Sequence, residues 1–170
     1  PELAQRMRAA NFVEVEVGLQ SVDPRTQELM DRRNNLRAFE TGVKALRDAG
    51  IRVKTDLIVG LPGDTIDSVR AGYRFLVERG LCDIAQVFRL SILPGTAFRQ
   101  EAERLGLRFM SRPPYSVLAT PTLSKRDIGD LLRARRVTVV DFAGWLRIDA
   151  HETKRGSATG RVREKIYRRD

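Results

Sequence analysis

Apolar positions along the chain switch between two spacings. Three apolar, β-rich runs, Phe12 to Leu19, Val53 to Val59 and Ile84 to Leu93, read as strands. Between them the spacing opens to steps of three and four. Leu36, Phe39, Val43 and Leu46 form one helical stripe, and Ile66, Val69, Tyr73 and Leu76 form another. Glycines follow both stripes, at Gly50 and Gly80, where a left-handed cap is cheapest. The third run leads to Phe98, Ala102 and Leu105, closed by Gly106 in the same way. Asp23-Pro24 marks a short extra turn, a cap followed by proline at the first helical position.

Strand alternating with helix predicts βα units and a parallel sheet. Three such units make only part of a barrel or an open sheet, and Leu3 to Ala10 reads as the tail of an earlier helix. Beyond Gly106 the pattern changes. Arg112 to Tyr115 and Thr120-Pro121 make an irregular stretch, and Ser124 with Asp127 resembles a reciprocal cap before Ile128, Leu131 and Leu132. A further helix is expected over Val137 to Ile148. The expected organisation is three βα units over 1–107, a C-terminal helical extension over 108–148 and a basic tail over 149–170. The extension should pack on the βα units.

Composition narrows the class. At 170 residues and 42% hydrophobic, the chain suits one globular domain that buries ~70% of its unfolded surface. No apolar run nears the ~20 residues of a membrane helix, and Pro1 to Ala10 lacks the apolar core of a signal peptide. A single cysteine, Cys82, excludes an internal disulfide and suits a reducing compartment, so the cytoplasm is expected. The net charge of +9 raises nucleic acid as a partner. The basic residues are spread along the chain, mixed with acids and not interleaved with aromatics, which argues against it.

Function in parallel α/β folds gathers at the carboxyl ends of the strands. Three segments fall there: Glu16 to Ser21, Gly60 to Thr65, and Leu93-Pro94-Gly95-Thr96. Glu16 and Asp56 also lie inside apolar strands, where a carboxylate is costly unless it is paired or used. Alternation puts Asp56, Ile58 and Gly60 on one face, and Thr55, Leu57 and Val59 on the other. Gly60 to Thr65 is no phosphate-binding P-loop, since no lysine follows its last glycine. With His151 the only histidine, neither a Ser-His-Asp triad nor a His-rich metal site can be assembled.

The series Val15-Glu16-Val17-Gly18-Leu19-Gln20-Ser21, Leu29-Met30-Asp31-Arg32, Asp56 to Thr65 and Leu93 to Thr96 resembles the second half of a radical S-adenosylmethionine (radical SAM) barrel. It resembles in particular the subgroup that often carries an N-terminal cobalamin-binding domain. The likeness covers about Leu3 to Leu107, the last three of six strands. It implies an α/β fold, half of a partial TIM-like barrel. It also implies a [4Fe–4S] cluster in the full-length protein, reductive cleavage of S-adenosylmethionine to a 5′-deoxyadenosyl radical, and cobalamin on a domain outside this chain. The family's Cys-x-x-x-Cys-x-x-Cys loop is not in these 170 residues, and Cys82 cannot replace three thiolates. A C-terminal fragment or truncated product, inactive alone, is therefore expected.

By the same resemblance, Gln20 and Ser21 lie near the ribose or methionine portion, and Arg32 pairs with the methionine carboxylate. Asp56 accepts from ribose hydroxyls, Gly60, Leu61 and Pro62 present backbone to adenine, and Leu93 and Pro94 form the edge beside it. Glu16 fits the pattern with a less defined partner. The expected partners are the missing half of the barrel, a small-molecule substrate and a second copy docked through exposed sheet edges. A non-catalytic half-barrel interaction module, or a fragment of an RNA-modifying radical SAM protein, are the alternative readings.

Overall fold

The computed structural model describes residues 1–134. Helix α1 (Glu2–Ala9) leads into strand β1 (Glu14–Gln20), then α2 (Pro24–Leu29) and α3 (Leu36–Asp48). Strand β2 (Arg52–Val59), α4 (Ile66–Glu78), β3 (Ile84–Arg89) and α5 (Ala97–Gln100) follow. The remainder is β4 (Arg108–Phe109), β5 (Val117–Ala119) and α6 (Lys125–Ala134). The main sheet runs in the order β1-β2-β3, and every pairing is parallel. Among the described residues no helix is long and apolar enough to cross a membrane.

The caps sit where the side chains direct them. Asp23 accepts from the Thr26 amide at the start of α2, Asn35 caps α3, and Thr65 with Ser68 forms a capping box on α4. Gly50 and Gly80 follow α3 and α4 with φ of +75° and +61°. Ser124 and Asp127 exchange hydrogen bonds ahead of α6, the amide of each donating to the side chain of the other.

The two faces of the sheet differ in chemistry. Val53, Thr55, Leu57 and Val59 point to the side covered by α3 and α4, where Val43, Val69 and Leu76 complete the core. The Thr55 hydroxyl is satisfied there by the Leu81 carbonyl at 3.0 Å. The opposite, concave face carries Glu14, Glu16, Lys54, Asp56, Ile58, Gln86 and Phe88. At the amino end, Asp83 accepts from the Val53 amide at 2.7 Å and pairs with Arg47 at 3.1 Å. That pair, with Asp83 buried and Arg47 partly exposed, fastens α3 to the start of β3.

Several boundaries differ from the sequence reading. Strand β1 starts at Glu14, leaving Phe12 and Val13 exposed, and β3 stops at Arg89. The helix expected around Phe98 to Leu105 shortens to α5, with turns on to Gly106. The extension is not purely helical, because β4 and β5 pair antiparallel before α6. This hairpin continues off β3: Leu90 accepts from the Val117 amide, and Tyr115 from the Ile92 amide, each at 2.9 Å. Helix α6 packs on α4, β2, β3 and β5. The helix expected over Val137 to Ile148 and the basic tail lie outside the described residues.

Candidate functional site

Register builds the site. Gly18, Asp56 and Gln86 are lateral neighbours across β1, β2 and β3, so they stand at one height on the concave face. Gln86 donates through Nε2 to Asp56 Oδ1 at 3.1 Å and to Glu16 Oε2 at 3.3 Å. One amide thus bridges two carboxylates. Burial and the neighbouring Glu16 carboxyl push the Asp56 carboxyl up to about 6, against a weaker opposing pull from Gln86 and Lys54.

Strand β1 ends in a bulge that re-aims Gln20. Its register slips between Gly18 and Gln20, and Gln20 takes a φ of +66°. The amide then folds back over Gly18, where a β-carbon on residue 18 would lie 2.2 Å from Gln20 Nε2. Gln20 Oε1 is buried and has no hydrogen-bond partner. Arg32 reaches the same strand end, donating through Nη2 to the Gly18 carbonyl at 2.7 Å and through Nε to Asn34 Oδ1 at 2.9 Å. Gln20, Arg32 and Asp56 therefore converge on Gly18.

The turn after β2 is built around a residue that sequence reasoning had not singled out. Asp64 is buried, and its Oδ2 accepts from both the Gly60 and Leu61 amides at 3.0 Å. Its Oδ1 faces the Thr26 hydroxyl at 3.4 Å. Burial pushes this carboxyl up to about 7 despite the two backbone donors. Gly60 and Gly63 hold φ of +92° and +83° to complete the turn.

Other expected residues are placed differently. Ser21 is buried, its hydroxyl accepts from the Asp23 amide at 3.2 Å, and its carbonyl accepts from Gln27 and Asn34. It serves the turn into α2. Leu61 and Pro62 are buried, Leu61 within the core, so their side chains offer nothing to a ligand. Leu93 and Pro94 are exposed in a turn that Thr96 closes on the Leu93 carbonyl. Gln86 was also missed, although a glutamine within an apolar strand is the same kind of signal as Asp56. Phe88, beside Ile58, is 46% exposed, so α6 does not cover the concave face.

Cys82 lies just before β3, at the end of the sheet opposite these turns. It is 1% exposed, and burial pushes its thiol up to about 11. A lone, protonated, enclosed thiol does not fit an iron–sulfur cluster. Among the described residues no cluster of His, Cys, Asp or Glu could hold a metal ion.

Comparison with known proteins gives these features a context. Residues 1–76 match the model of the radical SAM superfamily. The uncharacterized protein YtqA of Bacillus subtilis is 31% identical over 112 residues, which is 66% of this chain and 34% of YtqA. The cobalamin-dependent radical SAM methyltransferase TokK of Streptomyces tokunonensis is 32% identical over 105 residues, 58% of this chain and 15% of TokK. Among solved structures, coproporphyrinogen III oxidase (HemN) of Escherichia coli, a radical SAM enzyme, superposes with a TM-score of 0.59 at 25% identity. That match covers 78% of this chain and 28% of HemN. The chain spans about a third or less of the length of each of these proteins. With its parallel βα units forming part of a TIM-like barrel, the chain resembles the radical SAM superfamily, whose model matches its first 76 residues.

Proposed function

We propose that this chain supplies the S-adenosylmethionine-binding half of a radical SAM enzyme. The observation that carries the reading is the convergence of Gln20, Arg32 and Asp56 on Gly18, with Gln20 Oε1 buried and unpartnered. A buried amide oxygen without a donor is costly, and a ligand hydroxyl or amine would satisfy it. Asp56 would accept from the ribose hydroxyls, with Gln86 holding its carboxylate in place. Arg32 would offer its exposed guanidinium to the methionine carboxylate. The Gly60 turn would set the edge of the site through its backbone, since Leu61 and Pro62 face inward.

S-adenosylmethionine supplies radical chemistry when it is bound next to a reduced cluster. The chain's own thiol does not fit that cluster, whose ligands would come from another part of the enzyme. Cobalamin use by the whole protein is supported only by relatives such as TokK, and no described residue is assigned to it. A small-molecule substrate would meet the same concave face, above Ile58 and Phe88. The missing barrel half is the partner that would close the site.

The test is titration of the 170-residue chain with S-adenosylmethionine, followed by amide NMR. Weak binding is expected, with shifts at Gly18, Gln20, Asp56 and Gly60 and several-fold lower affinity in Asp56→Ala and Gln20→Ala. Saturating ligand that leaves those amides unmoved would defeat the reading.

A further inference from the structure

The Gly60 to Asp64 turn is held from outside as well as from within. Its inner tie is the Asp64 carboxylate on the Gly60 and Leu61 amides. Its outer ties come from a segment past the three βα units, beyond the residues that match the family model. Val117 on β5 fills the space above Gly60, where a β-carbon would meet its Cγ1 at 2.4 Å. Ile128 on α6 stands behind it, with Cδ1 3.6 Å from the same point. In the loop between β5 and α6, the Thr122 hydroxyl donates to the Asp64 carbonyl. Thr120 orients that loop, its Oγ1 accepting from the Leu123 amide at 3.0 Å and the Thr122 amide at 3.3 Å.

We infer that Thr122 and Val117 are positioning residues, and that the β5–α6 segment shapes the Gly60 turn and so tunes binding at the sheet's carboxyl end. The effect on binding rests on the S-adenosylmethionine reading; the effect on the turn does not. Asp64 is the shared node. Its side chain fixes two amides of the turn, and its carbonyl is fixed by Thr122. Loss of the Thr122 hydroxyl leaves that carbonyl without its side-chain donor and frees the turn to open independently of β2.

Native-state hydrogen exchange separates a local role from a general one. In Thr122→Val, which keeps the shape and removes the donor, the Gly60, Leu61 and Asp64 amides should exchange about tenfold faster, the effect of one lost hydrogen bond. The β2 amides of Val53 and Leu57 should keep their rates. Thr122→Ser, which restores the hydroxyl, should return the turn amides to the original rates. S-adenosylmethionine affinity should fall several-fold in Thr122→Val and recover in Thr122→Ser. Turn amides unchanged in Thr122→Val, or accelerated equally with β2, would overturn the inference. The exchange contrast in a chain that binds no S-adenosylmethionine would support turn shaping and reject the ligand reading alone.

Discussion

Gln20 occupies the room that Gly18 leaves empty: a β-carbon on Gly18 would stand 2.2 Å from Gln20 Nε2. The glycine and the bulge that follows it form one device. Without a side chain at position 18, the strand can turn the next polar residue back over its own end, beside Asp56.

Gly18→Ala should therefore separate site from fold. The clash is with the far end of a flexible side chain, so unfolding free energy should fall by less than about 1 kcal/mol. Ligand affinity should fall much further, because Gln20 must swing away. Urea denaturation beside an S-adenosylmethionine titration measures both, and equal losses in the two would contradict the assignment.

Glycines in the turns should rank by what surrounds them. Gly60→Ala combines a φ of +92° with an atom 2.4 Å away in the core, and should cost about 2–4 kcal/mol. Gly95→Ala has a φ of +82° but open space, and should cost about 1 kcal/mol. Chemical denaturation of the two variants would reveal a reversed order.

Asp64 should govern stability near neutral pH. Its folded value of about 7 lies above its ordinary 3.8, so the native state keeps a proton that the unfolded chain releases. Stability should therefore fall as pH rises from about 4 to about 7, with Asp56 contributing below about 6. Asp64→Asn keeps an oxygen for the two amides and should flatten the part of the decline between about 6 and 7. Asp64→Ala strands both amides and should lose about 2–4 kcal/mol at every pH. Thermal unfolding across pH 4–8 distinguishes the two.

Cys82 should be inert in the native protein. Enclosed and held protonated, it should resist alkylation at pH 8 until the chain unfolds. Rapid labelling of folded protein by iodoacetamide would place it nearer the surface than the structure does.

The strands were legible because apolar residues such as Val53, Leu57, Ile58 and Val59 are dense there, and α3 and α4 because their stripes are amphipathic and capped. The β4–β5 hairpin was not, since strands of two or three residues carry no measurable period. Asp56 stood out as a carboxylate within an apolar run, and Gln86 offered the same signal. Asp64 was hidden for another reason. In sequence it is one more polar residue of a turn, and only the backbone path shows it folding back on the Gly60 and Leu61 amides. The bulge at Gln20 was equally silent, because it depends on a register slip against β2. Leu61 and Pro62 were singled out for their backbone, and adjacency to a glycine turn could not show that their side chains face inward.

The bridge that Gln86 makes between Glu16 and Asp56 also bears on how copies of the chain meet. Two molecules stacked by their concave faces would bring these carboxylates against one another, opposed in sign to the chain's overall +9. Mutual repulsion would keep the face clear near neutral pH and relax as Asp56 takes up its proton below about 6. Acidification would then favour the pairing through local charge while raising the repulsion between whole molecules.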